Sequence, residues 1–95
     1  EPRHKRVAFL EEVVRQLGLV NVSVHRATAS EAVQAWGAGH ALATARALAA
    51  PEQALQMLQP LVAPGGSAVV FLGEHSRLPA GAEEWEKGLA IVRVR

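Results

Sequence analysis

Apolar and polar residues follow helix and strand periodicities along the first third of the chain. Residues 3–17 place apolar side chains at the i, i+3, i+4, i+7 spacing of an amphipathic helix. "VSVH" at 22–25 alternates and is rich in β-branched residues, which predicts a strand. Thr28, with Glu31 three residues later, forms a capping-box pattern that predicts a short helix over 28–36.

The rest of the chain continues this alternation of elements. "ALATA" at 41–45 has the helix propensity of its alanines, but its position between two helix patterns and its lack of polar residues favour a buried strand. Pro51 is typical of a first helical turn, and the Pro-Gly-Gly at 64–66 is predicted to end that helix. The apolar run 67–72 predicts a central strand. Alternating arginines in the last strand, 88–95, suggest the edge of a sheet.

This order of elements predicts an α/β fold. Helices alternating with strands indicate right-handed crossovers, a mostly parallel sheet and helices on both faces. Charge supports this prediction, because between Ala27 and Gly73 the only formally charged residues are Glu31, Arg46 and Glu52. A middle so poor in charge is typical of elements that are buried on two sides.

Composition excludes several classes of protein. The 95 residues are 49% hydrophobic with a formal net charge of +1, so a core can form and a strongly basic nucleic-acid arm is excluded. There is no cysteine, and the four histidines lack metal-ligand spacing, so no metal site is predicted. No apolar run approaches the ~18 residues of a membrane-spanning helix.

Ligands of open parallel sheets bind outside the carboxyl ends of the strands. That rule selects four places along this chain: Glu1, 25–28, 45–49 and 73–76. An acid such as Glu1, if a strand precedes it, commonly accepts hydrogen bonds from ribose hydroxyls. The simpler alternative, which position alone favours, is a carboxylate that complements the dipole of the first helix.

Arg46 is the single cation of the charge-poor middle. Directly after a presumed buried strand, its planar guanidinium suits a ligand carboxylate or phosphate. A structural ion pair with Glu52 or Glu31 is an equally good explanation. The basic run "RHKR" at 3–6 could contact a nucleic-acid backbone, but such a run is more often a solvated helix start. Trp36 and Trp85 are interpreted as core-covering residues.

Several of these residues together resemble a known family. The matching positions in the first 27 residues are Glu1, Arg3, Lys5, Arg6, Phe9, Leu10, Leu17-Gly18-Leu19 and Arg26-Ala27. "TARAL" at 44–48 and "LQPLVAPGG" at 58–66 extend the likeness. In this pattern the chain resembles the bacterial 16S ribosomal RNA guanine-N7 methyltransferases, also called the glucose-inhibited division protein B family.

The resemblance implies a fold, an activity and a set of site residues. The fold would be a Rossmann-like class I methyltransferase sheet. The activity would be S-adenosylmethionine-dependent methyl transfer to guanine N7 of small-subunit (16S) ribosomal RNA, in the cytoplasm and without a membrane partner. Glu1 would hold the cofactor's ribose hydroxyls, and Arg26, Ala27 and Thr28 would border its adenine, mainly through backbone groups. Arg46 would lie at the active-site mouth, near the methionine end of the cofactor or the RNA.

Departures from the family pattern affect how complete the site can be. The family's glycine-rich cofactor loop belongs before Glu1, so residues 1–95 are expected to form a single domain that is the C-terminal portion of a catalytic domain, without its first strand. An upstream segment or a homodimer would then complete the sheet, and the chain alone is expected to be inactive. Thr28 replaces the family's usual Glu, and Leu72 stands where the family has a lysine.

Two other functions fit parts of the pattern. A non-catalytic Rossmann-like module that has lost the cofactor site could serve in binding or assembly. A nicotinamide-dinucleotide domain can also place an acid after a strand. The Gly-Gly before 67–72 and the Arg26-Ala27 pair favour the methyltransferase over the dinucleotide domain.

Overall fold

The computed structural model describes all 95 residues as three α-helices and one four-stranded sheet. The helices are α1 (His4–Leu17), α2 (Ala29–Trp36) and α3 (Pro51–Leu58), and α3 continues into a 3₁₀ turn at Gln59–Leu61. The strands are β1 (His40–Ala45), β2 (Val62–Phe71), β3 (Glu83–Glu86) and β4 (Leu89–Arg93). No helix combines the length and the apolar character needed to cross a membrane.

The sheet is mixed, so the predicted mostly parallel arrangement is not confirmed. Its strand order is β1-β2-β4-β3, and only the β1–β2 pairing is parallel. β3 and β4 are joined by the two residues 87 and 88, with Gly88 at φ 89°, and a connection that short can only join antiparallel strands. β4 therefore pairs on both sides, and the prediction that it forms an edge is wrong; the edge strands are β1 and β3.

Helix α1 forms where its periodicity predicts it, but its apolar face is only partly covered. Gly18 ends the helix at φ 63°, and the N–H groups of residues 18 and 19 donate to the carbonyls of Arg15 and Val14. Val7 is its one buried residue, whereas Leu10 and Leu17 are 42% and 67% exposed. Periodicity correctly indicated a helix and did not indicate what packs against it.

One face of the sheet carries the core. Helix α3 packs against β1 and β2, and the buried cluster comprises Ala54, Leu55, Leu58, Val62, Ala68, Val70 and Ala90. On the opposite face, Val69 and Ile91 are buried but Leu42 and Phe71 are 57% and 48% exposed, and α3 is the only helix with extensive contacts to the strands. The expected layer of helices on both faces is therefore not observed.

The Pro-Gly-Gly segment has a different role from the predicted helix stop. The helical segment ends at Leu61, and 64–66 lie inside β2, where the pairing with β1 slips between His40 and Leu42. Gly65 has φ 87°. A Cβ on Gly66 would lie 2.6 Å from the Ala41 carbonyl oxygen, so the close approach of β1 and β2 requires a glycine there.

The predicted strand at 22–25 does not form. Residues 21–28 belong to no regular element. Backbone pairing there begins at His25, whose carbonyl accepts a hydrogen bond from the amino group of Glu1 at 3.3 Å. A strand needs a continuous ladder partner, and the structure has none for Val22 to Val24.

Candidate functional site

An open cleft of about 570 Å³ lies between the carboxyl end of β1 and the segments that lead into α1 and α2. Ala45 and Arg46 line it from the carboxyl end of β1, and Glu1, Ala27 and Thr28 line it from the opposite side. Three of the four places predicted from the strand ends thus share one cleft. The fourth, 73–76, lies elsewhere, in a turn closed by a bond from the Ser76 N–H to the Gly73 carbonyl.

Backbone bonds hold Glu1 beside the segment that precedes α2. The Glu1 amino group donates to the His25 carbonyl, and the Glu1 carbonyl accepts from the Ala27 N–H at 3.2 Å. Glu1 thus bonds to the residues on either side of Arg26, which is the hydrogen-bond pattern of two parallel strands. The Glu1 side chain accepts a bond from the Arg3 N–H at 3.0 Å, directly before α1. That contact agrees with the dipole-complementing role.

Thr28 begins α2 with the capping box that its spacing predicts. Its hydroxyl accepts from the Glu31 N–H at 3.2 Å, and the Glu31 carboxylate accepts from the Thr28 N–H at 2.9 Å. These bonds, chiefly the one from the Thr28 backbone, hold the pKa of Glu31 below its usual value. Thr28, a predicted cofactor contact, therefore has a defined structural role in the cleft wall.

Arg46 points across the sheet rather than into an ion pair. Its guanidinium carbon lies 5.7 Å from the centre of the Phe71 ring, which is a cation–π contact. The register explains this contact, because Ala45 pairs with Val70 and the next residue of each strand follows. The one ion pair in the structure joins Arg15 and Glu12, so the alternative pairing of Arg46 with Glu52 or Glu31 is wrong.

Arg26 lies beside the cleft rather than in it. Its Nε donates to the Pro2 carbonyl at 3.3 Å, and its side chain lines a neighbouring depression with His25 and Trp36. Of the five predicted site residues, the structure thus gathers Glu1, Ala27, Thr28 and Arg46 around one cleft and places Arg26 at its back.

Sequence reasoning missed an aromatic pair in this wall. The rings of His25 and Trp36 meet edge to face with their centres 4.6 Å apart, and Trp36 is 46% exposed. The sequence predicts Trp36 as a core-covering residue and His25 as the last residue of the strand at 22–25. Their spacing of eleven residues across a helix start carries no recognisable signal, so only the tertiary structure could bring them together.

The remaining lining residues add charge and a strained backbone. Arg3 and Arg6 line the cleft, which therefore has three arginines and one carboxylate, a balance that attracts anions. The sequence offered one signal for this pair: residues three apart at the start of a helix lie on the same side of it. Ala47 has φ 56°, a left-handed conformation that costs a residue with a Cβ about 1 kcal/mol or more. No group of three side chains could hold a metal ion.

Comparison with known proteins gives one consistent result. Residues 1–88 match the GidB family model, described as rRNA small subunit methyltransferase G. Proteins named ribosomal RNA small subunit methyltransferase G are similar to the chain, among them that of Clavibacter michiganensis subsp. michiganensis, 42% identical over 76 residues, which are 80% of this chain and 35% of the relative. That of Wolinella succinogenes is 42% identical over 75 residues, 79% of this chain and 37% of the relative.

A third relative matches a longer part of the chain and has the same name. The protein of the same name from Leifsonia xyli is 40% identical over 89 residues, which are 92% of this chain and 42% of the relative. The chain thus spans well under half the length of these relatives. Because the family model covers almost the entire sequence, this chain belongs to the GidB family of rRNA small subunit methyltransferases.

Proposed function

We propose that this chain forms part of an enzyme that transfers a methyl group from S-adenosylmethionine to guanine N7 of 16S ribosomal RNA in the cytoplasm. The observation that carries the proposal is the cleft, in which the family-matched residues Glu1, Ala27 and Arg46 meet. Its volume of about 570 Å³ is within the usual range for small-molecule sites.

The donor and acceptor groups of the cleft fit an adenosine-containing cofactor. Glu1 offers carboxylate oxygens for two ribose hydroxyls. The N–H groups of Ala27 and Thr28 already donate to Glu1 and Glu31, whereas the carbonyls of Arg26 and Ala27 have no hydrogen-bond partner. We therefore assign an adenine contact to the Ala27 carbonyl, which can accept from the exocyclic amino group, with Arg26 bordering the adenine from the neighbouring depression.

Little acid–base chemistry is required of the protein. Bound S-adenosylmethionine supplies an electrophilic methyl group on a sulfonium centre. Guanine N7 already carries the lone pair that forms the new N–C bond, and the sulfur keeps the electrons of the broken S–C bond. Catalysis by this chain is then mainly positioning, which holds two reactants at bonding distance. Arg3, Arg6 and Arg46 supply positive charge for the RNA phosphates.

A hybrid protein tests the proposal, with this chain replacing the region of the Clavibacter michiganensis relative that corresponds to it. We expect Arg46→Ala to lower the rate of methyl transfer to small-subunit RNA about 100-fold, the size of effect seen when reactants are misplaced. The thermal unfolding midpoint should change little, because Arg46 is exposed. Arg77→Ala, an exposed arginine outside the cleft, is the matched control and should keep full activity.

Calorimetry on the same hybrid tests cofactor binding separately. Glu1→Ala should weaken binding of S-adenosylmethionine about tenfold, as expected for loss of charge-assisted hydrogen bonds. Binding without any methyl transfer would support the alternative of a non-catalytic module. Equal activity of the Arg46→Ala and Arg77→Ala proteins would remove Arg46 from the site.

A further inference from the structure

Phe71 is an exposed aromatic residue at the end of a central strand. β2 pairs with β1 on one side and with β4 on the other, yet its last residue, Phe71, is 48% exposed. The preceding residue, Val70, belongs to the buried cluster under α3. Because successive side chains of a strand alternate between its faces, the Phe71 ring lies on the opposite face. Packing into the core therefore does not explain the presence of this ring.

The guanidinium of Arg46 lies over the Phe71 ring, with its central carbon 5.7 Å from the ring centre. A cation within about 6 Å of a ring centre is attracted by the negative charge of the ring face. Ala45 pairs with Val70, so the residue that follows each of them lies at the same level of the two parallel strands. The contact thus joins the carboxyl ends of β1 and β2.

The ring holds Arg46 without using its hydrogen-bond donors. Arg46 takes part in no ion pair, since the one ion pair in the structure joins Arg15 and Glu12. A carboxylate partner would occupy N–H groups and neutralise the charge, whereas a ring face does neither. The five N–H donors of the guanidinium therefore stay available, in a planar arrangement that suits an oxyanion.

The backbone on both sides of Arg46 restricts the same side chain. Ala45 is fixed by its pairing in the sheet, and Ala47, at φ 56°, turns the chain out of the direction of the strand. A free arginine side chain loses much rotamer freedom when it binds a ligand. The ring contact limits that freedom beforehand, which favours binding. Arg46 lines the cleft and Phe71 does not, so Phe71 can act there only through Arg46.

We propose that Phe71 is a positioning residue, which holds the Arg46 guanidinium at the cleft with its N–H donors free for a phosphate group of the substrate RNA. This inference rests on the proposed function, in which RNA is the substrate. Arg46 shares the cleft with Arg3 and Arg6, against the single carboxylate of Glu1. That balance of charge suits a polyanion such as RNA better than the one carboxylate of the cofactor.

Nitrogen NMR relaxation of the 95-residue chain tests the contact itself. The order parameter of the Arg46 Nε–Hε group should fall about twofold in Phe71→Leu, which keeps an apolar side chain but removes the ring. Phe71→Tyr keeps a ring face and should keep the order parameter. Trp85→Leu removes a 62% exposed ring from β3 that has no arginine over it, and is the matched control. An unchanged order parameter in Phe71→Leu would overturn the proposal.

RNA binding by the hybrid protein described above tests the consequence of that contact. The measurement is filter binding of protein-free 16S ribosomal RNA without S-adenosylmethionine. Arg46→Ala should raise the Kd about tenfold, through loss of charge-assisted hydrogen bonds. Phe71→Leu leaves the net charge unchanged and should raise the Kd about three- to fivefold, the size of an exposed cation–π contact. Phe71→Tyr and Trp85→Leu should bind RNA as the unaltered hybrid does.

The double variant Arg46→Ala/Phe71→Leu separates positioning from a general structural effect. If Phe71 acts through Arg46, loss of the ring has no further consequence once the arginine is absent, so the Kd should equal that of Arg46→Ala. Losses that multiply would overturn the proposal. Weaker binding of S-adenosylmethionine by Phe71→Leu, with RNA binding unchanged, would assign Arg46 to the cofactor's carboxylate and would overturn it as well.

These outcomes are distinguishable from failure of the proposed function. Coupled losses of RNA binding in a hybrid that transfers no methyl group would support the role of Phe71 and overturn the methyl transfer. Methyl transfer with independent losses of RNA binding would do the reverse. Absence of RNA binding by the unaltered hybrid would overturn both.

Discussion

The two edges of the sheet differ in charge and in what lies beside them. β3 presents three glutamates to solvent, whereas β1 carries no charged residue of this kind and contributes the small residues Thr44 and Ala45 to a cleft of about 570 Å³. The edge that faces the cleft is also the one next to the family-matched residues Ala45 and Arg46. The two edges therefore differ in charge, and the uncharged one is the edge whose carboxyl end borders the proposed site.

The close approach of β1 to β2 requires a glycine at position 66, and substituting that residue should give the largest effect. Gly66→Ala puts a Cβ 2.6 Å from the Ala41 carbonyl oxygen and 2.7 Å from a Val62 methyl group, so the two strands must separate. We expect a loss of about 1–3 kcal/mol in the free energy of unfolding, as for other overpacked sites. Urea denaturation measures it.

Gly39→Ala is the control for that substitution. A Cβ at Gly39 meets no atom within 4 Å and its φ is not positive, so its unfolding free energy should change by less than about 0.5 kcal/mol. Equal effects of the two substitutions would contradict the close approach of β1 and β2.

Removing negative charge from the β3 edge should allow molecules to associate through that edge. Glu84→Thr/Glu86→Thr replaces two edge carboxylates with a residue that favours strands, and we expect self-association several-fold stronger than that of the unaltered chain. Analytical ultracentrifugation over a concentration series measures it. Glu11→Gln/Glu74→Gln removes the same charge elsewhere; an identical rise there would assign the effect to net charge rather than to the edge.

The cleft wall opposite β1 depends on the cap of α2. Thr28→Ala removes the hydroxyl that accepts from the Glu31 N–H, and should cost about 1 kcal/mol of unfolding free energy. Thr28→Ser should restore most of it. Ser30→Ala, in the same first turn and without a side-chain hydrogen bond, is the matched control; a cost as large as that of Thr28→Ala would argue against the capping box.

The same cap should give the smallest effect, a contribution to stability that depends on pH. The folded-state pKa of Glu31 lies below its ordinary value, so the stabilisation is present above that ordinary value and is lost as the pH falls through the folded pKa. Glu31→Gln should flatten the acid side of the stability profile measured by urea denaturation. Glu52→Gln controls for the change in net charge. An unchanged acid limb in the Glu31→Gln protein would contradict the bond.

Local patterns predicted most of the elements, because their causes are local. The helix expected over 3–17 spans His4–Leu17, the one expected over 28–36 spans Ala29–Trp36, and the ambiguous alanine segment is a strand over His40–Ala45. Helical periodicity, a capping box and a glycine at a helix end each depend on residues that lie close together in the sequence. The predicted strand at 22–25 failed because pairing depends on a distant partner.

The candidate site was predicted in part for a similar reason. The rule that ligands bind at the carboxyl ends of strands brought Glu1, Thr28 and Arg46 to one edge, and the structure places them around one cleft. Whether they bind cofactor and RNA stays a prediction. The His25–Trp36 contact and the left-handed Ala47 were beyond sequence reasoning, because neither has a local signature.

By itself, the sequence determined where two helices begin and end, where the third begins, and to which family the chain belongs, since these follow from the order of residue types. The tertiary structure alone decided the rest. It turned β4 antiparallel to β2, buried it between two neighbours and left β1 as the open edge. It also placed Pro64-Gly65-Gly66 within a strand instead of at a helix end, because the approach of β1 leaves no room for a Cβ at Gly66.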